Sequence, residues 1–299
     1  MGVVEDLKIK NLQDGWSMLY LCLAKAVVNL KGIDGEAALR EGVREFGYDR
    51  SRNLVKMHKA LGLKLNMKNL FTYGDLPNDP RFKRERIALN PQERISHTLV
   101  CPIASLWNSN DGQWLGRIYC EEFHHACYGS YAPHVQVNLA QTITQVYDDY
   151  CAFAVYLRPG DLTPEQRVDS FAEYDPSYVE PDMSQYQPPT AKEGFNKLCV
   201  KIIYHLYESF KKHFGQAEAN QILKVALTSY VVMETAFLKK HADMEGAVLD
   251  GAYVKDNVPL ALTLAEDLYW TEGYEDEALY PLLNSEYYVP MAAAIDHQE

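Results

Sequence analysis

The chain lacks a basic stretch, a paired Cys-x-x-Cys array and any long uninterrupted apolar run, and each absence removes a class of function. Lysine and arginine number 29 against 41 aspartates and glutamates, a formal charge of −12. A phosphate backbone is therefore not an expected partner, and nucleic-acid binding is set aside. The longest apolar stretch, residues 18–30, is interrupted by Lys25 and Asn29 and falls short of the roughly 20 apolar residues of a membrane helix, so no membrane association is expected. Six cysteines in 299 residues are too sparse for a disulfide framework. The opening Met-Gly-Val-Val-Glu-Asp has neither the basic nor the apolar region of a secretory leader. We expect a cytoplasmic protein whose thiols are reduced.

What is present is ordinary for a globular protein that handles small molecules: 47% hydrophobic and 23% charged residues. Helical spacing over residues 12–30 places Trp16, Leu19, Leu23, Ala26 and Leu30 near one face, with Gly32 as the stop. A second helix is capped by Asp34, buries Leu39, Val43 and Phe46, and ends at Gly47. A third covers about 51–61 and carries His58, which Lys56 and Lys59 suggest is a surface residue. The period then shortens to two. Residues 86–90 and 95–101 read as strands joined across Asn90-Pro91, the second stopped by Pro102. A helix over 113–128 and strands over 135–143 and 150–157 follow. The fold class is α+β: N-terminal helices, a small four-stranded, mostly antiparallel sheet crossed by a helix, and C-terminal helices.

Prolines 159, 164, 176, 181, 188 and 189 mark an irregular connection. We divide the chain into a helix-plus-sheet domain over 1–160, a connection over 161–190, and a helical region over 191–299 that packs on the first. A short echo between 30–38 and 213–219, each with Gly followed by Glu-Ala, is weak evidence of duplication, because helical hairpins converge on such turns through capping alone.

Reactive side chains are densest over 117–128, Arg-Ile-Tyr-Cys-Glu-Glu-Phe-His-His-Ala-Cys-Tyr. On a helix Cys120, His124 and Cys127 share one stripe, and Glu121 reaches both His124 and His125. A Cys beside a His can become a nucleophilic thiolate. Cysteines with a histidine can also hold zinc, so Cys101, Cys120, His124 and Cys151 form an alternative metal site. Taken singly, a buried Cys or a satisfied His is the ordinary use of each residue.

Cys101-Pro102, then Tyr119-Cys120-Glu121-Glu122 with His124 beyond, then Asp149-Tyr150-Cys151-Ala152-Phe153, resemble the L-2-amino-thiazoline-4-carboxylic acid hydrolase family over about 10–160. One departure is Asp148, where the family pattern has glycine. The resemblance implies a hydrolase acting on carbon–nitrogen bonds of a small cyclic amidine, thiazoline, lactam or imide. In the family reaction water adds at C2 of the ring and the ring sulfur leaves, giving an N-carbamoyl-cysteine. Cys120 with His124, oriented by Glu121 or Asp149, is the expected catalytic unit, and Cys101 and Cys151 are rival nucleophiles. Arg94, Arg117 and Arg158 are candidates for the substrate carboxylate. No cofactor is required, although zinc remains the alternative. The expected partner is a small-molecule substrate, and the 21 tyrosines permit a homo-oligomer. The rival reading is a non-catalytic small-molecule or metal-binding protein using the same Cys/His cluster.

Overall fold

The structure, a computed structural model, describes residues 3–296. It is 63% helical and contains a four-stranded antiparallel sheet between N-terminal and C-terminal helices, an α+β fold. The first helix, α1 (Val3–Ala60), breaks at Gly32, where φ is 58° and ψ −130°, a conformation open to glycine because it lacks a Cβ. Residues 12–61 thus form two helical arms, where the glycine spacing predicts three helices. Gly47 does not stop the second arm. A Cβ there would lie 2.7 Å from Ala126 Cβ, so this glycine lets two helices touch.

His58 is a further correction, because it is buried rather than at the surface. Its Nδ1 is 2.6 Å from the Tyr131 hydroxyl and its Nε2 2.7 Å from the Tyr73 carbonyl. It follows buried Ser51 and Leu54 at helical spacing, while Lys56 and Lys59 occupy exposed faces. The charged neighbours in sequence are therefore not neighbours in space.

After α2 (Met67–Thr72), strands β1 (Lys83–Asn90) and β2 (Glu93–Val100) form a hairpin. Cys101 then caps a helix that strand reasoning passes over, α3 (Pro102–Ser109), with proline in its first turn, where the missing N–H costs nothing. The chain continues through α4 (Gln113–Gly129), β3 (Gln136–Gln141) and β4 (Cys151–Tyr156). The strand order is β1-β2-β4-β3.

The proline-rich connection is mostly irregular but includes α5 (Pro164–Ser170), started by a reciprocal cap between Thr163 and Gln166. Two long helices follow, α6 (Ala191–Phe214) and α7 (Gln216–Glu245), divided by Gly215 at φ 81°. Short helices α8 (Gly251–Asn257), α9 (Leu279–Leu283) and α10 (Val289–Asp296) close the chain, with a π turn at Asn284–Tyr288. Helix α6 lies along α1: a Cβ on Gly42 would be 2.6 Å from Leu206 Cδ2, and Ser209 Oγ donates to the Ala38 carbonyl at 2.7 Å. By length and composition α7 is apolar enough to cross a bilayer, and 44% of that window is buried inside the fold. One continuous set of buried side chains runs from Ile9 to Ile295.

Candidate functional site

Antiparallel partners point to the same side of a sheet, so the register fixes which side chains share the face toward α4. Val155 opposes Arg94 and Val137, Phe153 opposes Ser96 and Leu139, and Cys151 opposes Thr98. On the far edge Arg84 opposes Thr98 and Arg86 opposes Ser96. Half of this face is therefore an ordinary apolar floor. The other half carries three arginines, two hydroxyls and a thiol.

Arg94 is the informative member. Its guanidinium lies 4.7 Å from the centroids of both Phe71 and Phe153, and among the described residues it forms no ion pair or side-chain hydrogen bond. Burial, with the positive fields of Arg84 and Arg86, brings its pKa down to about 10. A half-buried guanidinium without a carboxylate is costly unless a ligand supplies the missing charge. Arg84, stacked 3.7 Å over Phe82 and bonded to Asn78 at 3.0 Å, stands with Arg86 at the exposed rim. Deeper in, Ser96 is 1% exposed and its Oγ has no hydrogen-bond partner.

Helix α4 supplies the opposite wall. The His124 ring stacks on Tyr128 with centroids 5.7 Å apart and meets Phe153 at 5.3 Å. Its buried Nδ1 is also unpartnered. Burial first, then the charges of Arg94, His125 and Arg50, push its pKa down to about 3. His124 is thus a neutral imidazole at ordinary pH.

One turn earlier, Cys120 faces Cys101 and Cys151, and the three thiols lie close enough to oppose one another's ionisation. Cys101 Sγ accepts from the Ala104 N–H at 3.5 Å, and Cys151 Sγ accepts from the Ile143 N–H at 3.3 Å. Burial pushes Cys101 up to about 11, Cys151 upward, and Cys120 furthest. The protein itself holds no thiolate–imidazolium pair here: the thiols are protonated and the imidazole is neutral.

The remaining sequence candidates lie elsewhere. Glu121 points at α1, bonding Arg40 at 2.9 Å and Arg117 at 2.6 Å, so it orients neither Cys120 nor His124. Arg117 is spent on that pair at the surface. Asp149 is exposed in the segment before β4, away from its expected place orienting Cys120 and His124. Arg158 pairs with Glu93 at 3.2 Å on a separate hollow of about 390 Å³ beside the β1–β2 turn. Among the described residues no three His, Cys, Asp or Glu side chains gather as metal ligands, so the set Cys101, Cys120, His124 and Cys151 is not assembled as a zinc site. Sequence reasoning missed Arg84, Arg86 and Ser96. Their signal was the alternate spacing 84, 86 and 94, 96, 98 along the β1–β2 hairpin, whose strands begin before the expected 86 and 95.

An α+β protein whose sheet presents an uncompensated arginine, orphaned hydroxyl and imidazole atoms, and three converging thiols beneath a helix gathers the polar groups that would fix a small molecule. Residues 16–155, just under half of the chain, match the profile of the L-2-amino-thiazoline-4-carboxylic acid hydrolase family. The matched segment contains all three thiols, His124 and Arg94. No curated protein and no solved structure matches the chain.

Proposed function

We propose that the protein is a hydrolase opening the ring of a small cyclic amidine that carries a carboxylate, with a 2-aminothiazoline-4-carboxylate as the closest fit. The observation that carries this reading is the unpaired Arg94 on the same sheet face as the orphaned Ser96 Oγ, opposite the orphaned Nδ1 of His124. Arg94 binds the substrate carboxylate, with Arg84 and Arg86 drawing the anion in from the rim. The ring then lies against Phe153 and Tyr128, within reach of the thiols.

Water adds at C2 while the neutral His124 Nδ1 accepts one of its protons. As the C2–S bond breaks, Cys120 gives its proton to the leaving sulfur, and the proton on His124 returns to Cys120. One water is consumed: its oxygen ends on C2 as the carbonyl, one hydrogen on the sulfur and the other, passed from the C2 hydroxyl, on the former ring nitrogen. Raised thiol pKa values suit a proton donor better than a resting nucleophile. Cys101 and Cys151 keep the space around Cys120 free of water. The six free cysteines fit a reducing compartment, and we place the protein in the cytoplasm.

The test is incubation with 2-aminothiazoline-4-carboxylate, following release of free thiol and of N-carbamoyl-cysteine. Turnover that falls at least about 100-fold in both Cys120→Ala and His124→Gln, with little further loss in the double variant, supports a unit acting together. Unchanged turnover in Cys120→Ala sinks the assignment. The protonated thiols also favour a second reading, binding without chemistry; saturable calorimetric binding of the same compound with no product is its signature.

A further inference from the structure

We infer a second small-molecule site, for an aromatic carboxylate, in the hollow between the C-terminal arm of α1, the turn at 73–76 and the first turns of α6. None of its lining residues belongs to the thiol pocket, so the inference is independent of the hydrolase reading. The hollow measures about 250 Å³, against the roughly 150 Å³ that suffices to hold benzene. Its wall depends on Gly194. A Cβ there would fall 2.5 Å from Leu76 Cδ2 and 3.1 Å from the Asp75 carbonyl oxygen, so glycine lets the turn seat against α6 and form the side of the hollow.

The cations around it are not all paired. Arg50, Lys197 and Lys201 line the space with Asp75 and Glu193, three cations against two carboxylates. Arg50 and Asp75 neutralise each other through two bonds of 3.0 and 2.6 Å. Glu193 is taken by the helix cap, accepting from Thr190 N at 3.1 Å and Oγ1 at 2.8 Å. Lys201 reaches Asp49 at 3.1 Å outside the lining, but that carboxylate also accepts from Tyr274 at 2.7 Å and Asn53 at 3.0 Å.

Lys197 is left over. It lies one turn before Lys201 and one turn after Glu193 on the same stripe, and Glu193 is held at the Thr190 cap rather than by Lys197. Among the described residues its Nζ makes no hydrogen bond or ion pair, and it lies 5.0 Å from the Tyr269 ring centroid. Leu54, Met57 and Leu198 complete an apolar wall. An anionic group between Lys197 and Lys201 with a flat ring against Tyr269 satisfies both halves of the hollow.

Calorimetric titration of the full chain with benzoate, and with neutral benzamide, decides the matter. Saturable benzoate binding, at least about tenfold weaker in Lys197→Met and for benzamide, is the expected result, the size set by loss of one charge-assisted hydrogen bond. Leu54→Trp should abolish binding by filling the hollow, whereas Arg94→Met should leave it unchanged. Lys197 has no hydrogen bond or ion pair to lose, only a contact with the Tyr269 ring, so Lys197→Met should melt within a few degrees of the parent. Benzamide binding as tightly as benzoate, loss in Arg94→Met rather than Lys197→Met, or no saturation by benzoate each overturns the site.

Discussion

Glu234 on α7 is fully buried and neither of its carboxyl oxygens has a hydrogen-bond partner. Burial first, then the negative field of Asp14, holds its pKa well above the ordinary value of 4.5, so the folded protein carries it as the neutral acid. The unfolded chain ionises the same group above pH 4.5. The folded state thus binds a proton that the unfolded state releases, and stability falls as pH rises. The loss is about 1.4 kcal/mol per pH unit, or about 3 kcal/mol at pH 7 relative to a group that never ionises. Glu234→Gln keeps the shape and removes the titration. Urea unfolding of both proteins at about pH 5.5 and about pH 7.5 should show the variant gaining roughly 2–3 kcal/mol over the parent across that interval. The added NH₂ group must also find an acceptor, which shifts the variant by about 1 kcal/mol at every pH; the slope, not the offset, is therefore the readout. Equal pH dependence in the two proteins would refute a neutral buried Glu234.

Five further outcomes follow from the same geometry. Arg94→Met should raise KM for a carboxylate-bearing ring by about 10- to 100-fold with a smaller change in kcat, because a charge-assisted pair is lost; steady-state kinetics against the corresponding carboxamide checks it. Since His124 protonates near pH 3 and Cys101 ionises near 11, kcat/KM should lack an acidic limb near pH 6.5 and stay level from about pH 5 to about pH 9. Alkylation of the native thiols near neutral pH should accordingly be slow, and rapid modification of Cys120 traced by peptide mapping would contradict its protonated state. Gly47→Ala places a methyl against Ala126 and should cost about 1–3 kcal/mol in urea unfolding, while a chain ending near residue 185 should lose solubility, because the α1 face that covers Leu206 and Ser209 becomes exposed.

Hydrophobic period marked the sheet and the long helices but not α3 or α5. The switch from a 3.6 to a two-residue repeat ahead of residue 86 marks where the sheet begins, and helical spacing over 113–128 marks α4. Turn chemistry was legible where it is local, as at Gly32 and Gly215, which both take positive φ. Gly47 has the same sequence appearance but another cause, contact with Ala126, and nothing near it in the chain reveals that. His58 looked exposed beside two lysines because sequence adjacency is not facial adjacency on a helix. The cysteine–histidine cluster was visible from the stripe of Cys120 and His124 and from three family motifs. Its chemistry was not, because a pKa depends on which charges approach from other elements. Glu121 turned to Arg40 and Arg117, Asp149 stayed exposed before β4, and burial left a neutral imidazole among protonated thiols. The uncompensated charge on Arg94 arises only where β2, β4 and α4 meet, since a guanidinium is unpaired by virtue of everything folded around it.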